Sequence, residues 1–481
     1  MPYKSWAASL RFLPLVFLVA GVARAERLPE PVPQGEYAAR RKALAGRLRL
    51  DLSAGSMGVL LLRSLPEPEN ATFRQDSNLY YLTGTEIPNT ALVLIFDRPA
   101  GTAEDSGQPA RPHYAEYFYL PERDPGEERW TGPKAGAGAL ENDSRRPDAE
   151  RLATMQLLGF DKIPEEDFPP PRFPKGPVER LSDLPRHLHR FLTESEVLFF
   201  GVDPGILGEP LSPELVFLGE VRARYPELQV KDPRLALGKL RMVKSPAEIG
   251  QIRRAVEITC LAQLDALRAA RSGMTEYQIQ AELEHRFTYE GARRPGYPSI
   301  VGSGPNSCIL HYDANGRTLK EGDLLLMDVG AEYRRYSADV TRTFPVGGWF
   351  SEEQRKIYDL VLKAQEEVLA LIKPGVPFSE LDRTARKVIS DAGYGRYFIH
   401  ATSHFLGLDV HDAGDASSRI QTGMVFTVEP GVYIPGKELG IRIEDDVLVT
   451  ETGAEILSVC LPRTAHAVEM QTRNALKSGT R

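Results

Sequence analysis

The sequence predicts a mixed α/β chain of two domains, and three observations carry that expectation. At roughly 100–200 residues per domain, the 481 residues are too many for a single core. Across residues 26–232, strand-like and helical stretches alternate. The remainder nearly repeats itself at an offset of about one hundred residues.

The elements follow in order. Residues 1–25 read as a signal peptide: Lys4 and Arg11 give a basic start, residues 12–22 are a short apolar run, and Ala23-Arg24-Ala25 is an A-x-A cleavage site. That run is shorter than the ~20 residues a spanning helix needs, which argues for cleavage, export, and a periplasmic or extracellular product. No later stretch is apolar enough to span a membrane. Cleavage removes three cations and no acid, moving the formal charge from −7 to −10. Such acidity disfavours nucleic acid and anionic lipid as partners. A hydrophobic content of 42% and a charged content of 26% fit an ordinary soluble globular protein.

In residues 26–235, Val59-Leu60-Leu61-Leu62 and Ala91-Leu92-Val93-Leu94-Ile95-Phe96 read as buried strands. Tyr114–Leu120 reads as a third strand, pairing with the second across a polar loop at 97–113. Residues 164–177 are proline-rich and read as a connection. The Tyr80-Tyr81 pair, taken locally, reads as part of a packed strand. The three cysteines, Cys260, Cys308 and Cys460, lack metal-site spacing and read as buried apolar fillers, with one bridged pair left open.

The second domain spans residues 236–463, and a polar tail is expected over 464–481. Ser245-Pro246-Ala247-Glu248 is a helix start, with Ser as N-cap, Pro at the first position and Glu three after the cap. The helix ends by Gly273. A second capped helix begins at Ser351 and ends at Lys373-Pro374-Gly375. Each is followed by an amphipathic helix, over residues 276–290 and 379–391. Each half then reaches a histidine (His311, His411), a glycine (Gly322, Gly423), a strand closing on an acid (Asp328, Glu429) and a second acidic strand (Asp339, Glu444). The offsets are 102 for the post-helix glycines, 100 for the histidines, 101 for the first acids and 105 for the second. A duplicated unit related by a pseudo-two-fold would bring four acids together.

Any one of these acids, at a strand end, would read as solvent-facing. Four at matched repeat positions do not. Carboxylates gathered in a core repel and are pushed toward protonation unless cations neutralise them. Adding His404 makes the donor set four carboxylates and one imidazole, which suits two divalent ions, Mn²⁺ first, with Co²⁺ or Zn²⁺ as alternatives, better than a sulfur-rich structural zinc site. Two such ions ~3.5–4 Å apart can share and acidify a water.

Five local contexts resemble the dimetal ligands of the pita-bread metallopeptidases, which include methionine aminopeptidases, Xaa-Pro aminopeptidases and prolidases. They are Met327-Asp328-Val329-Gly330, Ser337-Ala338-Asp339-Val340-Thr341-Arg342, Ser403-His404-Phe405-Leu406-Gly407-Leu408-Asp409-Val410-His411-Asp412, Val428-Glu429-Pro430-Gly431 and Gly440-Ile441-Arg442-Ile443-Glu444. The resemblance implies that Asp328 and Asp339 chelate one metal, with Asp339 reaching the second. It places His404 and Glu429 on the other metal and Glu444 across both, with Glu429 as acid/base partner of a bridging hydroxide. It also implies that His311 and His411 face the substrate as an oxyanion-type site, that His400 is a wall histidine, and that Arg442 steadies the cluster or a substrate carboxylate. Relatives usually carry glycine where this chain has Ala401. His113, His187, His189, His285 and His466 read as ordinary surface or core histidines.

The amino-terminal half separates the subfamilies. Phe73-Arg74-Gln75-Asp76-Ser77-Asn78-Leu79-Tyr80-Tyr81-Leu82-Thr83-Gly84 resembles the Xaa-Pro aminopeptidase amino-terminal domain, and Arg123-Asp124-Pro125 with Glu128 and Trp130-Thr131-Gly132 looks like a second block of it. The resemblance implies a creatinase/aminopeptidase-P-type α/β domain ahead of a pita-bread catalytic domain. The expected activity is release of the residue ahead of a penultimate proline, from a homodimer or homotetramer. A dipeptide-restricted prolidase and a non-catalytic binding module are the alternatives.

Overall fold

The computed structural model describes residues 28–68, 72–100, 113–122, 124–131 and 178–478. The expected signal peptide, the proline-rich stretch at 164–177, and Arg123 and Gly132 of the second block lie outside the described residues.

The amino-terminal domain is built on β1 (Met57–Arg63), β2 (Ala91–Asp97), β3 (Tyr114–Leu120), β4 (Val178–Arg180), β5 (Val197–Phe199) and β6 (Gln229–Lys231), in the order β4-β3-β2-β1-β5-β6. The three strands read from sequence form an antiparallel meander, with Leu60 opposite Leu94 and Val93 opposite Tyr117. The other three join in parallel. Helices α1 (Gln34–Leu48), α2 (Ser77–Thr83), α3 (Pro125–Thr131), α4 (Leu184–Glu194) and α5 (Pro213–Arg224) complete the domain. Leu60, Leu94, Phe96 and Phe118 cluster with α1 and α2, while Val59, Leu61, Val93, Ile95 and Tyr117 cluster with α4 and α5. A sheet covered on both faces needs apolar side chains at successive positions. That explains the unbroken runs in β1 and β2.

The Tyr80-Tyr81 stretch corrects the strand reading. It is α2, because the Asp76 side chain accepts from the Leu79 N–H at 2.8 Å and Gly84, at φ +68°, takes the left-handed terminating position. These two end signals outweigh the β preference of the tyrosines.

Helix α6 (Arg234–Arg241) connects the halves, so the 235/236 boundary falls inside a helix. The second half then runs through α7 (Pro246–Ala269), α8 (Glu276–Tyr289), β7 (Arg294–Pro295), β8 (Ile300–Ser303), β9 (Leu324–Val329), β10 (Ala331–Tyr333), β11 (Tyr336–Ser337) and β12 (Val340–Pro345). It continues with α9 (Glu352–Leu371), α10 (Ser379–Asp391), β13 (Val425–Val428), β14 (Gly431–Ile434), β15 (Leu439–Arg442), β16 (Asp445–Val449), β17 (Ala454–Ile456) and α11 (Ala465–Ser478).

The repeat is visible in the pairing. β9 pairs antiparallel with β12 and β13 with β16, while the hairpins β10/β11 and β14/β15 occupy equivalent places. Both long helices open with a reciprocal cap, Ser245 with Glu248 and Ser351 with Gln354. Each also carries a buried glutamine at the same offset, 102 residues apart. Gln263 donates to the Val340 carbonyl at 2.6 Å, and Gln365 donates to those of Val428 and Ile443 at 3.1 and 3.2 Å. These carbonyls adjoin Asp339, Glu429 and Glu444, so the helices fasten the acid-bearing strands directly. Gly330 is forced by packing: a Cβ there would lie 1.8 Å from the Ala338 carbonyl oxygen, beside the second acid.

Two further expectations are corrected. Much of the polar tail is α11, which packs on α7 and β12 with Val468, Thr472 and Ala475 buried along one face. Buried Glu469 accepts from the Phe350 N–H at 3.1 Å. Cys260 and Cys460 are not independent fillers; they form a disulfide between α7 and the turn after β17, 200 residues apart in sequence. Closing so long a loop removes up to about 5 kcal/mol of chain entropy from the unfolded state. Reductant, or Cys260→Ser with Cys460→Ser, is therefore expected to lower the melting temperature measured by calorimetry; an unchanged transition would mean the thiols are not bonded.

Candidate active site

The four acids sit at breaks or ends of strands, where a side chain can leave the sheet. Asp328 is the penultimate residue of β9, and Glu429 directly follows β13. Asp339 lies in the gap between β11 and β12, and Glu444 between β15 and β16. The second acidic strand expected around Asp339 is thus interrupted at Ala338-Asp339. The Asp339 N–H donates to Asp446 Oδ2 at 3.0 Å and the Glu444 N–H to the Thr341 carbonyl at 3.1 Å, tying the two halves across the pseudo-two-fold. His404 arrives on the segment before β13, whose backbone runs beside that strand through Glu429 N–H to Thr402 O (2.9 Å) and Thr427 N–H to His404 O (3.0 Å).

His404 Nε2 lies 3.3 Å from both Asp339 Oδ2 and Glu429 Oε1. Ligand atoms of Asp339, His404 and Glu444 all fall within 4.8 Å of one another. Arg442 pairs with Asp328 and donates to Tyr433 Oη at 2.8 Å and Thr341 Oγ1 at 3.1 Å. Thr341 in turn donates to Glu444 Oε2 at 2.6 Å. His400 bonds Tyr433 Oη through Nε2 at 2.8 Å and lies 3.7 Å from Glu429 Oε2 through Nδ1. His404 and His411 meet edge to face with ring centroids 4.3 Å apart.

Electrostatics follow from crowding in a buried place. Burial, reinforced by Asp328, raises Asp339; burial, with Asp339 and Glu429, raises Glu444 well above the carboxylate range. Burial also pushes Glu429 up to about 7, with His404 pulling back and Asp339 adding to the rise. For His404 burial acts downward, but hydrogen bonding and charge from Asp339, with Glu429, raise it to about 9. His400 is lowered to about 4 by burial and by Arg442, so it is neutral at physiological pH. The cluster therefore holds protons more tightly than its separated groups would. A divalent cation competes for the same lone pairs, and this oxygen-rich donor set with one imidazole fits such ions.

All nine residues singled out in the sequence line one cleft of about 590 Å³: Asp328, Asp339, His404, Glu429, Glu444, His311, His411, His400 and Arg442. The apolar Pro298, Ile300, Leu310 and Val410 line the same cleft. Ala401 has no positive φ, which is confined among non-glycine described residues to Asn89, Asn315, Arg334, Arg335 and Glu438; the alanine is accommodated without strain. Sequence reasoning missed Tyr297, whose hydroxyl reaches both Asp328 Oδ1 (2.6 Å) and Asp339 Oδ1 (2.5 Å). It also missed Thr341 and Tyr433. Thr341 stands inside one quoted ligand context and Tyr433 two residues after another; Tyr297 carries no local signal.

Residues 250–451 match metallopeptidase family M24, and residues 37–157 match the aminopeptidase P N-terminal domain. The chain is 33% identical to the Xaa-Pro aminopeptidase of Escherichia coli (strain K12), over 91% of this chain and 97% of that one. A Pyrococcus furiosus Xaa-Pro dipeptidase is 41% identical, but over only 46% of this chain and 64% of its own. The structure of Escherichia coli aminopeptidase P with the inhibitor Pro-Leu superposes with a TM-score of 0.75 at 30% identity, covering 93% of this chain and all of that one. The fold is thus that of aminopeptidase P, an amino-terminal α/β domain followed by a catalytic metallopeptidase domain. The chain belongs to the Xaa-Pro aminopeptidase family of metallopeptidases and is a metal-dependent exopeptidase.

Proposed function

We propose that the chain removes the residue ahead of a penultimate proline, from peptides of three or more residues as well as dipeptides, with Mn²⁺ as its working ion. The observation that carries this is the cleft that gathers the four acids and the His404 imidazole, His311, His411 and His400 together with apolar side chains. Asp328, Asp339, His404, Glu429 and Glu444 would hold two divalent ions, which supply Lewis acidity toward a carbonyl and toward water. Glu429 would serve as the carboxylate that accepts and returns a proton. His311 and His411 face the cleft where a scissile carbonyl oxygen gains charge, and a hydrogen bond from either strengthens as that charge develops. Neutral His400 orients Tyr433, and Tyr433 with Thr341 fixes the guanidinium of Arg442. A proline nitrogen carries no hydrogen, so proteases that bind that N–H fail there. Pro298, Ile300, Leu310 and Val410 instead offer apolar side chains in the same cleft for the pyrrolidine ring.

The full-length likeness to Xaa-Pro aminopeptidases, against a half-length likeness to dipeptidases, supports the longer substrates. The disulfide supports export through residues 1–25, since such bonds persist in oxidising compartments. The test uses the chain from Glu26, stripped with chelator and reloaded with Mn²⁺, on Arg-Pro-Pro beside Ala-Pro. Arginine release from the tripeptide is the expected result. Cleavage of Ala-Pro alone would make the chain a dipeptidase, and no cleavage of either with metal bound would leave a binding module.

A further inference from the structure

We propose that Arg74 and Ser77 of the amino-terminal domain are positioning residues for His411, acting through Asp409 and the Leu408 carbonyl. The inference rests on the reading that His411 faces the substrate. Among the described residues, no side-chain hydrogen bond holds the His411 imidazole. Its place is inherited from the backbone of residues 405–412, which forms no helix or strand of its own. That loop closes on itself through Asp412 N–H to Phe405 O (2.8 Å) and Gly407 N–H to Asp409 O (3.1 Å).

The rest of its fastening comes from outside. Arg74 donates through Nη2 to the Leu408 carbonyl at 2.7 Å and through Nη1 to Asp409 Oδ1 at 3.0 Å, and Ser77 Oγ donates to the same oxygen at 2.7 Å. Arg241, on α6, takes Asp409 Oδ2 at 2.8 Å and also pairs with Asp412. Lys244 reaches Asp412 at 3.2 Å, and two backbone bonds also hold the loop, Ser337 N–H to Gly407 O at 2.8 Å and Leu406 N–H to Val425 O at 3.1 Å. The residues two and three before His411, and the one after it, are thus each held by a cation. Arg74 and Ser77 belong to the motif Phe73–Gly84 at the mouth of α2, far from the metal ligands in sequence. A displacement of about 1 Å in a group that meets the reacting carbonyl can cost on the order of a hundredfold in rate, so the grip on this loop is worth more than domain adhesion.

Removing Arg74 leaves no buried charge alone. Glu332, its other partner, keeps Arg294 at 2.9 Å, and Asp409 keeps Arg241. Arg74→Met should therefore fold, and Ser77→Ala, which removes the hydroxyl that donates to Asp409 and accepts from Arg74 Nη1 at 3.3 Å, is a milder second probe. The experiment is a double-mutant cycle on the full mature chain loaded with Mn²⁺, with Arg-Pro-Pro as substrate and melting temperature and metal content measured alongside. Arg74→Met is expected to lower kcat about tenfold with KM little changed and both metals retained. Against a His411→Ala background it should cost less than about twofold, because the group it positions is gone. Ser77→Ala should show the same pattern at smaller amplitude. An equal loss in both backgrounds, or no loss in the unmodified chain, would overturn the inference while leaving the role of His411 intact. A His411→Ala enzyme with undiminished turnover would remove that role and the inference with it.

Discussion

Asp339→Ala is expected to abolish turnover of Arg-Pro-Pro, lowering kcat/KM by on the order of a thousandfold or more, while the protein stays folded. Asp339 is the acid on which the two halves converge: its side chain meets His404 at 3.3 Å and Tyr297 at 2.5 Å, and its backbone N–H meets Asp446. Losing one preorganised electrostatic group in a buried site commonly costs 10²–10³ in rate, and Asp339 would serve both ions. Metal content per chain, measured on the purified variant, should fall with the activity. Stability without metal should not fall. Burial and Asp328 already raise this carboxyl, so its charged form is unfavourable where it stands, and Tyr297 retains Asp328 as acceptor. Turnover within tenfold of the unmodified chain would refute the ligand role. A variant unfolded in chelator would show Asp339 to be a structural residue instead.

The acids could be read in the sequence because duplication multiplies evidence: one acid at a strand end says little, but four at offsets of 101 and 105 residues are constrained by a shared architecture. The buried strands β1 and β2 were legible for a related reason, since a sheet covered on both faces writes an unbroken apolar run. Tyr297 has no such partner. It reaches Asp328 and Asp339 across 31 and 42 residues, and only the folded chain brings them together. The hold of Arg74 on Asp409 spans 335 residues and joins two domains, so no periodicity within either half reports it. The disulfide was undecidable because three cysteines allow three pairings, and selecting one needs the 6.1 Å Cα separation that α7 and the turn after β17 create. In α2 and α11 local composition misled: aromatic residues suggested a strand where Asp76 and Gly84 delimit a helix, and polar content hid a buried face at Val468, Thr472 and Ala475.

Stability without metal should fall as pH rises, and Mn²⁺ should reverse that trend. Glu429 ionises near 4.5 when unfolded and near 7 in the folded protein. Between those values the folded chain holds a proton that the unfolded chain has released, so raising the pH favours unfolding. The shift corresponds to on the order of 3 kcal/mol once pH has passed 7. His404, moved from 6.5 to about 9, extends the loss upward with the same sign, because its proton too is held more tightly in the folded state. A divalent ion needs these groups deprotonated and so binds better as the protons leave. At a free concentration about 100 times its Kd it adds about 2.7 kcal/mol. Calorimetry at pH 5.5 and pH 8, with chelator and with Mn²⁺, should therefore show a metal-induced rise in melting temperature that is clearly larger at pH 8. An equal rise at both would mean that the ion and the protons do not compete, and would place metal binding away from Glu429 and His404.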